Sequence, residues 1–169
     1  MTTPGTAVSG TELRLVGFEE LSATALRDRL LARRSEFWAG SHLDDATVVG
    51  VHDPVFFHQL GGFGAVAMTA HGDDAGYLLG VVSADRLAVV HAVAVHPCWR
   101  GRGVAGLLVG RFAALADAVG ARAVQAVAVP DDPAALALGA RFGAHVARSP
   151  GHAGPGADRL LLTRALPLP

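Results

Sequence analysis

From residue 87 to 95 the chain reads Leu-Ala-Val-Val-His-Ala-Val-Ala-Val, an almost unbroken apolar run with the length and β-branched content of a buried strand. Residues 104–119 then switch to helical spacing, with Leu108, Phe112, Leu115 and Val119 expected on the inward face and Gly120 as the stop. Upstream, residues 12–17 form a first strand, and Ser22 caps a helix over 23–38 whose Leu26, Leu30 and Phe37 face inward, with Leu31 beside them. Residues 64–70 and 77–83 read as strands joined by the polar turn His71-Gly72-Asp73-Asp74-Ala75-Gly76, and a second turn at Ala84-Asp85-Arg86 leads into 87–95. A strand over 121–129 follows. Asp131-Asp132-Pro133, a carboxylate cap with proline in the first turn, opens a helix over 134–142 that stops at Gly143. A last pair of strands, 144–148 and 159–165, flanks a Gly/Pro-rich loop. Residues 40–62 carry little periodicity, although Asp53-Pro54 opens a short helix reaching Leu60.

At 169 residues the chain has the size of one domain, expected over 11–169 behind a small, polar, flexible tail at 1–10. Its net charge of −1 carries no general nucleic-acid footprint and no polybasic membrane anchor. No apolar run approaches ~20 residues and no charged n-region precedes an apolar one, so a soluble, cytoplasmic protein without membrane contact is expected. Cys98 is the single cysteine, which excludes an intrachain disulfide. Lys, Asn and Ile are absent, as A/T-poor coding would produce, and with Lys go Schiff-base chemistry and the phosphate-loop lysine. The eight histidines lack the spacing of a helical zinc pair, so no metal is expected.

The densest chemistry lies in Val95-His96-Pro97-Cys98-Trp99-Arg100-Gly101-Arg102-Gly103-Val104-Ala105-Gly106, where a buried strand ends and a helix begins. The first N–H groups of a helix have no intrahelical partner and carry the positive end of its dipole. Gly101 and Gly103 let a ligand approach the backbone, and Arg100 and Arg102 add positive charge. Such a turn suits a phosphate or pyrophosphate.

The Arg-x-x-Gly-x-Ala pattern on Arg100, Gly103 and Ala105, with Val-His-Pro just before it, resembles the acyl-CoA-binding motif of the GCN5-related N-acetyltransferase (GNAT) superfamily. The likeness is specific from about residue 87 to 143; before residue 64 it rests on element order. It implies an α/β (α+β) fold, a central mixed and mostly antiparallel sheet of six to seven strands flanked by about four helices. It further implies acetyl-CoA or another acyl-CoA as co-substrate and a small-molecule or peptide amine as acceptor; a homodimer is compatible with it. On this likeness Val93, Ala94 and Val95 bind the pantetheine arm as an added strand would. The amides from Arg100 through Val104 to Ala105 take the pyrophosphate, and the helix opened by Asp132 flanks the sulfur.

His91 stands where many relatives carry a Glu or His acting as base. By strand alternation it shares a face with Val89, Val93 and Val95, and an imidazole titrates in the range such a base needs. A strand-bulge amide near Val93 or Ala94 is the expected oxyanion donor. The chain departs from the family where relatives carry Asn and, seven residues later, a Tyr that protonates the leaving thiolate: here stand Asp132 and Gly139. Gly139 is then expected to open space beside the sulfur, and Ser149 or water to replace the phenol.

Other readings use the same residues. Gly101-x-Gly103-x-x-Gly106 matches a dinucleotide fingerprint, but five residues separate it from its strand and the next acid comes too late. Without the phenol, the domain is open to being a non-catalytic acyl-CoA sensor, or to taking its acyl group from a carrier protein or an aminoacyl-tRNA. Asp44-Asp45 and Asp73-Asp74 read as solvated turns, the first pair with an alternative role in attracting a cationic acceptor. Acceptor specificity is expected in loops 38–62 and 149–158.

Overall fold

The computed structural model describes residues 13–41, 43–58 and 62–168. The expected tail at 1–10, Glu12, and the end of the helix expected at Leu60 lie outside them. Seven strands form one sheet in the order β1-β2-β3-β4-β5-β7-β6. These are β1 Leu13–Gly17, β2 Phe63–Thr69, β3 Asp74–Val82, β4 Leu87–Val95, β5 Ala123–Ala128, β6 His145–Ser149 and β7 Arg159–Ala165. Every neighbouring pair is antiparallel except β4 and β5. A mixed, mostly antiparallel sheet is therefore what the chain builds.

The helices are more divided than the periodicity suggests. The run expected over 23–38 is two helices, α1 Ala23–Ala32 and α2 Arg34–Phe37, meeting at Arg33 with φ −107° and ψ 11°. α3 Asp45–Val51 and α4 Pro54–His58 follow, then α5 Val104–Ala118 and α6 Pro133–Arg141.

α5 covers one face of the sheet, packing Val104, Leu108 and Phe112 onto Ala65, Leu78 and Ala88. Gly80 makes this possible, because a Cβ there would lie 2.3 Å from the Phe112 ring. Val119 does not join this core and is 67% exposed. The helix ends at Ala118, so its inward stripe runs through Val109, Ala113 and Ala116 instead. The opposite face of β2–β4 packs Val66, Tyr77, Leu79 and Ala92 against Leu26, Leu30, Phe37 and Phe56.

Two buried polar links fasten α1–α3 to the sheet. Asp74, read from sequence as a solvated turn residue, is instead 2% exposed at the start of β3. The Arg29 guanidinium grips it at two points, 2.7 and 2.6 Å, and also donates to the Gly72 carbonyl at 2.8 Å. A buried carboxylate needs such a partner. The second link is a chain of hydrogen bonds. The Val48 carbonyl can only accept, so His52 Nδ1 carries a proton toward it at 2.8 Å. His52 Nε2 then accepts from the Tyr77 hydroxyl at 2.9 Å, and that oxygen accepts from Trp38 Nε1 at 2.8 Å. The single tyrosine thus ties α3 and the end of α2 to β3. Burial raises its pKa.

Candidate functional site

The site begins where a ladder stops. β4 and β5 pair from Leu87↔Ala123 to Val90↔Ala126 and no further, although β4 runs on to Val95 and β5 to Ala128. Among the described residues, backbone groups of β4 that face β5 beyond Val90 therefore have no strand partner. The two strands part around a groove of about 880 Å³, walled by Val93 and Val95 of β4, Ala126 and Ala128 of β5, Leu138 of α6 and Phe142 just after it.

At its end lies the turn singled out by sequence. Pro97–Trp99 form a 3-10 turn, and Gly101 and Gly103 take φ +73° and +80°, a region L side chains avoid. The first backbone bond of α5 runs from Leu107 N–H to the Gly103 carbonyl at 3.1 Å. The amides of Val104, Ala105 and Gly106 consequently have no helical acceptor. Arg102 is exposed, its guanidinium 5.2 Å from the Trp99 ring centre.

Arg100 serves differently. Its guanidinium donates to the carbonyls of Val95 at 3.0 Å, Phe37 at 3.0 Å and Ala39 at 3.2 Å, tying the end of β4 to the end of α2. It lines the groove with Nε and Nη2 engaged by these carbonyls.

The cation that sequence reasoning missed is Arg141, on the last turn of α6. Its Nη1 lies 2.8 Å from where a Cβ on Gly106 would be and 3.7 Å from the same point on Gly103. A guanidinium over the positive end of a helix dipole is unfavourable without an anion between them. The free amides and the Arg141 cation therefore fit a phosphate-bearing ligand. No local pattern announces Arg141; only the packing of α6 beside α5 brings it there. Asp132 caps α6, its Oδ1 accepting from Ala135 N–H at 2.9 Å, and lines the groove.

His91 departs from strand alternation. Val90 pairs with Gly80 and Ala92 with Leu79, so His91 is the extra residue of a β-bulge. One inserted residue reverses which face follows. Val93 and Val95 turn toward the α5 core, whereas His91 joins Val89 on the opposite face. The bulge also lies before Val93 and Ala94, which pair regularly with Leu78 and Tyr77. His91 Nε2 is 3.1 Å from the Val51 carbonyl, and the ring stacks on Phe56 at 4.8 Å. Because that carbonyl only accepts, the neutral ring carries its proton on Nε2 and presents a lone pair at Nδ1.

A second crevice of about 400 Å³ opens on this side, walled by Val55, Phe56, Val81 and Val89 with Gly50 and Asp53. Among the described residues, His91 alone lines both this crevice and the groove.

Several expected features go elsewhere. Asp44 caps α3, accepting from Thr47 N–H at 2.7 Å, and Asp45 pairs with Arg34 at 2.7 and 3.1 Å. These bonds hold both carboxyls below the usual range, and neither lines the groove or the crevice beside His91. Gly139 lines the groove, but a Cβ there would lie 2.4 Å from Leu162 Cδ2, where α6 presses onto β7. Ser149 Oγ lies 3.2 Å from His152 Nδ1 and lines neither cavity. Among the described residues no three His, Cys, Asp or Glu side chains group to hold a metal, and no helix is long and apolar enough to cross a membrane.

A family model of the acetyltransferase (GNAT) family matches residues 11–144. The chain belongs to the GNAT acetyltransferase family. Solved GNAT structures superpose on it across most of its length. One from Desulfovibrio desulfuricans, assigned to the GNAT family, shares 16% identity at a TM-score of 0.73 and covers 90% of this chain and 98% of its own. The phosphinothricin acetyltransferase of Sinorhizobium meliloti, solved in complex with AcCoA, shares 19% at 0.62, covering 92% and 88%. The ribosomal-protein-S18-alanine N-acetyltransferase of Escherichia coli shares 18% at 0.64, covering 90% and 93%. At these identities the likeness is one of fold. A search of curated protein sequences returns no match.

Proposed function

We propose that this GNAT protein is an N-acyltransferase, moving an acetyl or other acyl group from acyl-CoA to an amine by direct attack. The observation that carries the reading is the position of His91 at the meeting of the two cavities, with no partner for Nδ1 among the described residues. In this reading the β4 edge at Val93, Ala94 and Val95 holds the pantetheine amides. The amides of Gly103, Val104 and Ala105 take the pyrophosphate, with Gly101 giving the turn its shape and Arg102 and Arg141 adding charge. Arg100 and Asp132 act by holding the turn and α6 in place.

When bound, an acyl-CoA supplies a thioester carbonyl on which the amine forms the new C–N bond as the C–S bond breaks. An alkyl ammonium titrates near pH 10, so at neutral pH it must lose a proton before it is a nucleophile. His91 Nδ1 accepts that proton, directly or through water, while the Val51 carbonyl fixes the ring and its tautomer. Of the three ammonium protons, one stays on the amide, one leaves with the sulfur and one passes through His91 to solvent. No tyrosine hydroxyl serves the sulfur, since the one tyrosine is buried in the Trp38–Tyr77–His52 chain.

Incubating the protein with acetyl-CoA and a panel of small and peptide amines, and reading acylated product by mass spectrometry, tests the proposal. Product that disappears in His91→Ala supports it. Tight CoA binding with no product from any amine overturns it in favour of a sensor.

A further inference from the structure

We infer that the crevice beside His91 selects a small primary amine with an apolar body and no carboxylate, its ammonium held by Asp53. The inference rests on the acyltransferase reading above and concerns the acceptor side of that site.

The walls decide the body of the ligand. Val55, Phe56, Val81 and Val89 present aliphatic and aromatic surface, and Val55 is 42% exposed, as a wall awaiting an apolar partner would be. At about 400 Å³ the crevice lies near the lower end of small-molecule pockets, which span roughly 300–1,000 Å³. A compact amine fits such a volume better than a polyamine or a peptide chain.

The charges decide its polar end. Among the described residues that line the crevice, Asp53 is the one carboxylate, and none is Arg. Asp53 Oδ1 accepts from Val55 N–H at 2.7 Å, which fixes the carboxylate at the start of α4 and leaves Oδ2 for a ligand. An amino acid would bring its own carboxylate toward Asp53 with no arginine among the described lining residues to receive it, so the same arrangement that attracts an ammonium repels an anion. Asp53, rather than the Asp44-Asp45 pair engaged with Thr47 and Arg34, is the acidic residue facing the acceptor.

Gly50 provides an independent handle. It lines the crevice from α3, and a Cβ built on it meets nothing within 4 Å. A large side chain there fills the crevice, while a helical position gains propensity when Gly is replaced.

The test is binding, read without turnover. Isotope-labelled protein is titrated with 2-phenylethylamine, phenylalanine, spermidine and a short Ala-initiated peptide by NMR, and CoA binding is measured by calorimetry on each variant. The expected result is saturable binding of 2-phenylethylamine that shifts the amides of Val55, Phe56 and Val89, with phenylalanine at least about fivefold weaker. Asp53→Asn, which keeps the capping oxygen, should weaken 2-phenylethylamine about fivefold, and Gly50→Phe should abolish its binding, both with CoA affinity unchanged. Equal or tighter binding of phenylalanine, spermidine or the peptide overturns the inference, as does an amine affinity indifferent to both substitutions or no amine binding at millimolar concentration. Loss of CoA binding by the unmodified protein would instead overturn the acyltransferase reading, so the two failures are distinct.

Discussion

The ring of Phe56 lies flat against that of His91, with centroids 4.8 Å apart and planes 16° apart. Phe56 comes from α4 and Val51, whose carbonyl meets the imidazole edge at Nε2, from α3. The least periodic stretch of the sequence therefore fixes the orientation of the proposed base.

His91→Ala should lower kcat/KM by about 10²–10⁴ and leave CoA affinity intact. Phe56→Leu, which keeps apolar bulk but not the stacking, should lower kcat with little change in KM for the donor. Steady-state kinetics with calorimetry of CoA binding checks both. An unchanged rate in folded His91→Ala would leave the histidine a structural role.

Gly103→Glu should abolish CoA binding, because it forces a side chain onto φ +80° and sets a carboxylate against the phosphates. Arg141→Ala and Arg102→Ala should weaken binding with an effect that shrinks at high salt. Arg100→Ala should act on the fold, lowering Tm by stripping a donor from three carbonyls. Calorimetry over a salt series, beside thermal melts, separates the two classes.

Stability should fall as pH drops through the ordinary histidine value of 6.5. Burial pushes the His52 pKa below that value, so the folded state keeps it neutral while the unfolded chain takes up a proton. The His52 contribution is therefore complete above 6.5 and is lost progressively as pH falls toward the depressed folded value. Denaturant midpoints at about pH 7.5 and pH 5.5 should differ for the wild-type chain, and the difference should shrink in His52→Gln.

Gly139→Tyr should cost stability rather than supply a proton donor. Helix propensity alone predicts a gain of up to ~1 kcal/mol, but the added Cβ meets Leu162, and overpacking costs about 1–3 kcal/mol. Leu162→Ala should recover part of the loss in the double variant, and chemical denaturation of the four-member cycle reads it out.

Much of this was legible because it is contiguous in sequence. The run into β4, the glycine turn and the start of α5 read directly from spacing, as did Asp132 as the cap of α6. What failed depends on neighbours distant in the chain. His91 changes face because β4 carries one residue more than β3 between paired positions, which no pattern within β4 reveals. Asp74 looks like a turn residue until Arg29 of α1 is laid over it, and Arg141 looks like a helix surface until α6 lies beside Gly106. The helix expected over 23–38 breaks at Arg33, where neither glycine nor proline stands as a warning.

Four residue pairs join the two halves of the sheet, and they sit at one end of β4 and β5. Mechanically this is a pivot. α5 rests chiefly on β2, β3 and β4, and β5 joins that core through Val124 near the paired end. A molecule threaded between the two strands would complete the missing pairing and brace the two halves of the sheet against each other. Amide hydrogens of β5 and β7 should then exchange faster than those of β3 in the free protein, and slow more than any others when CoA is added.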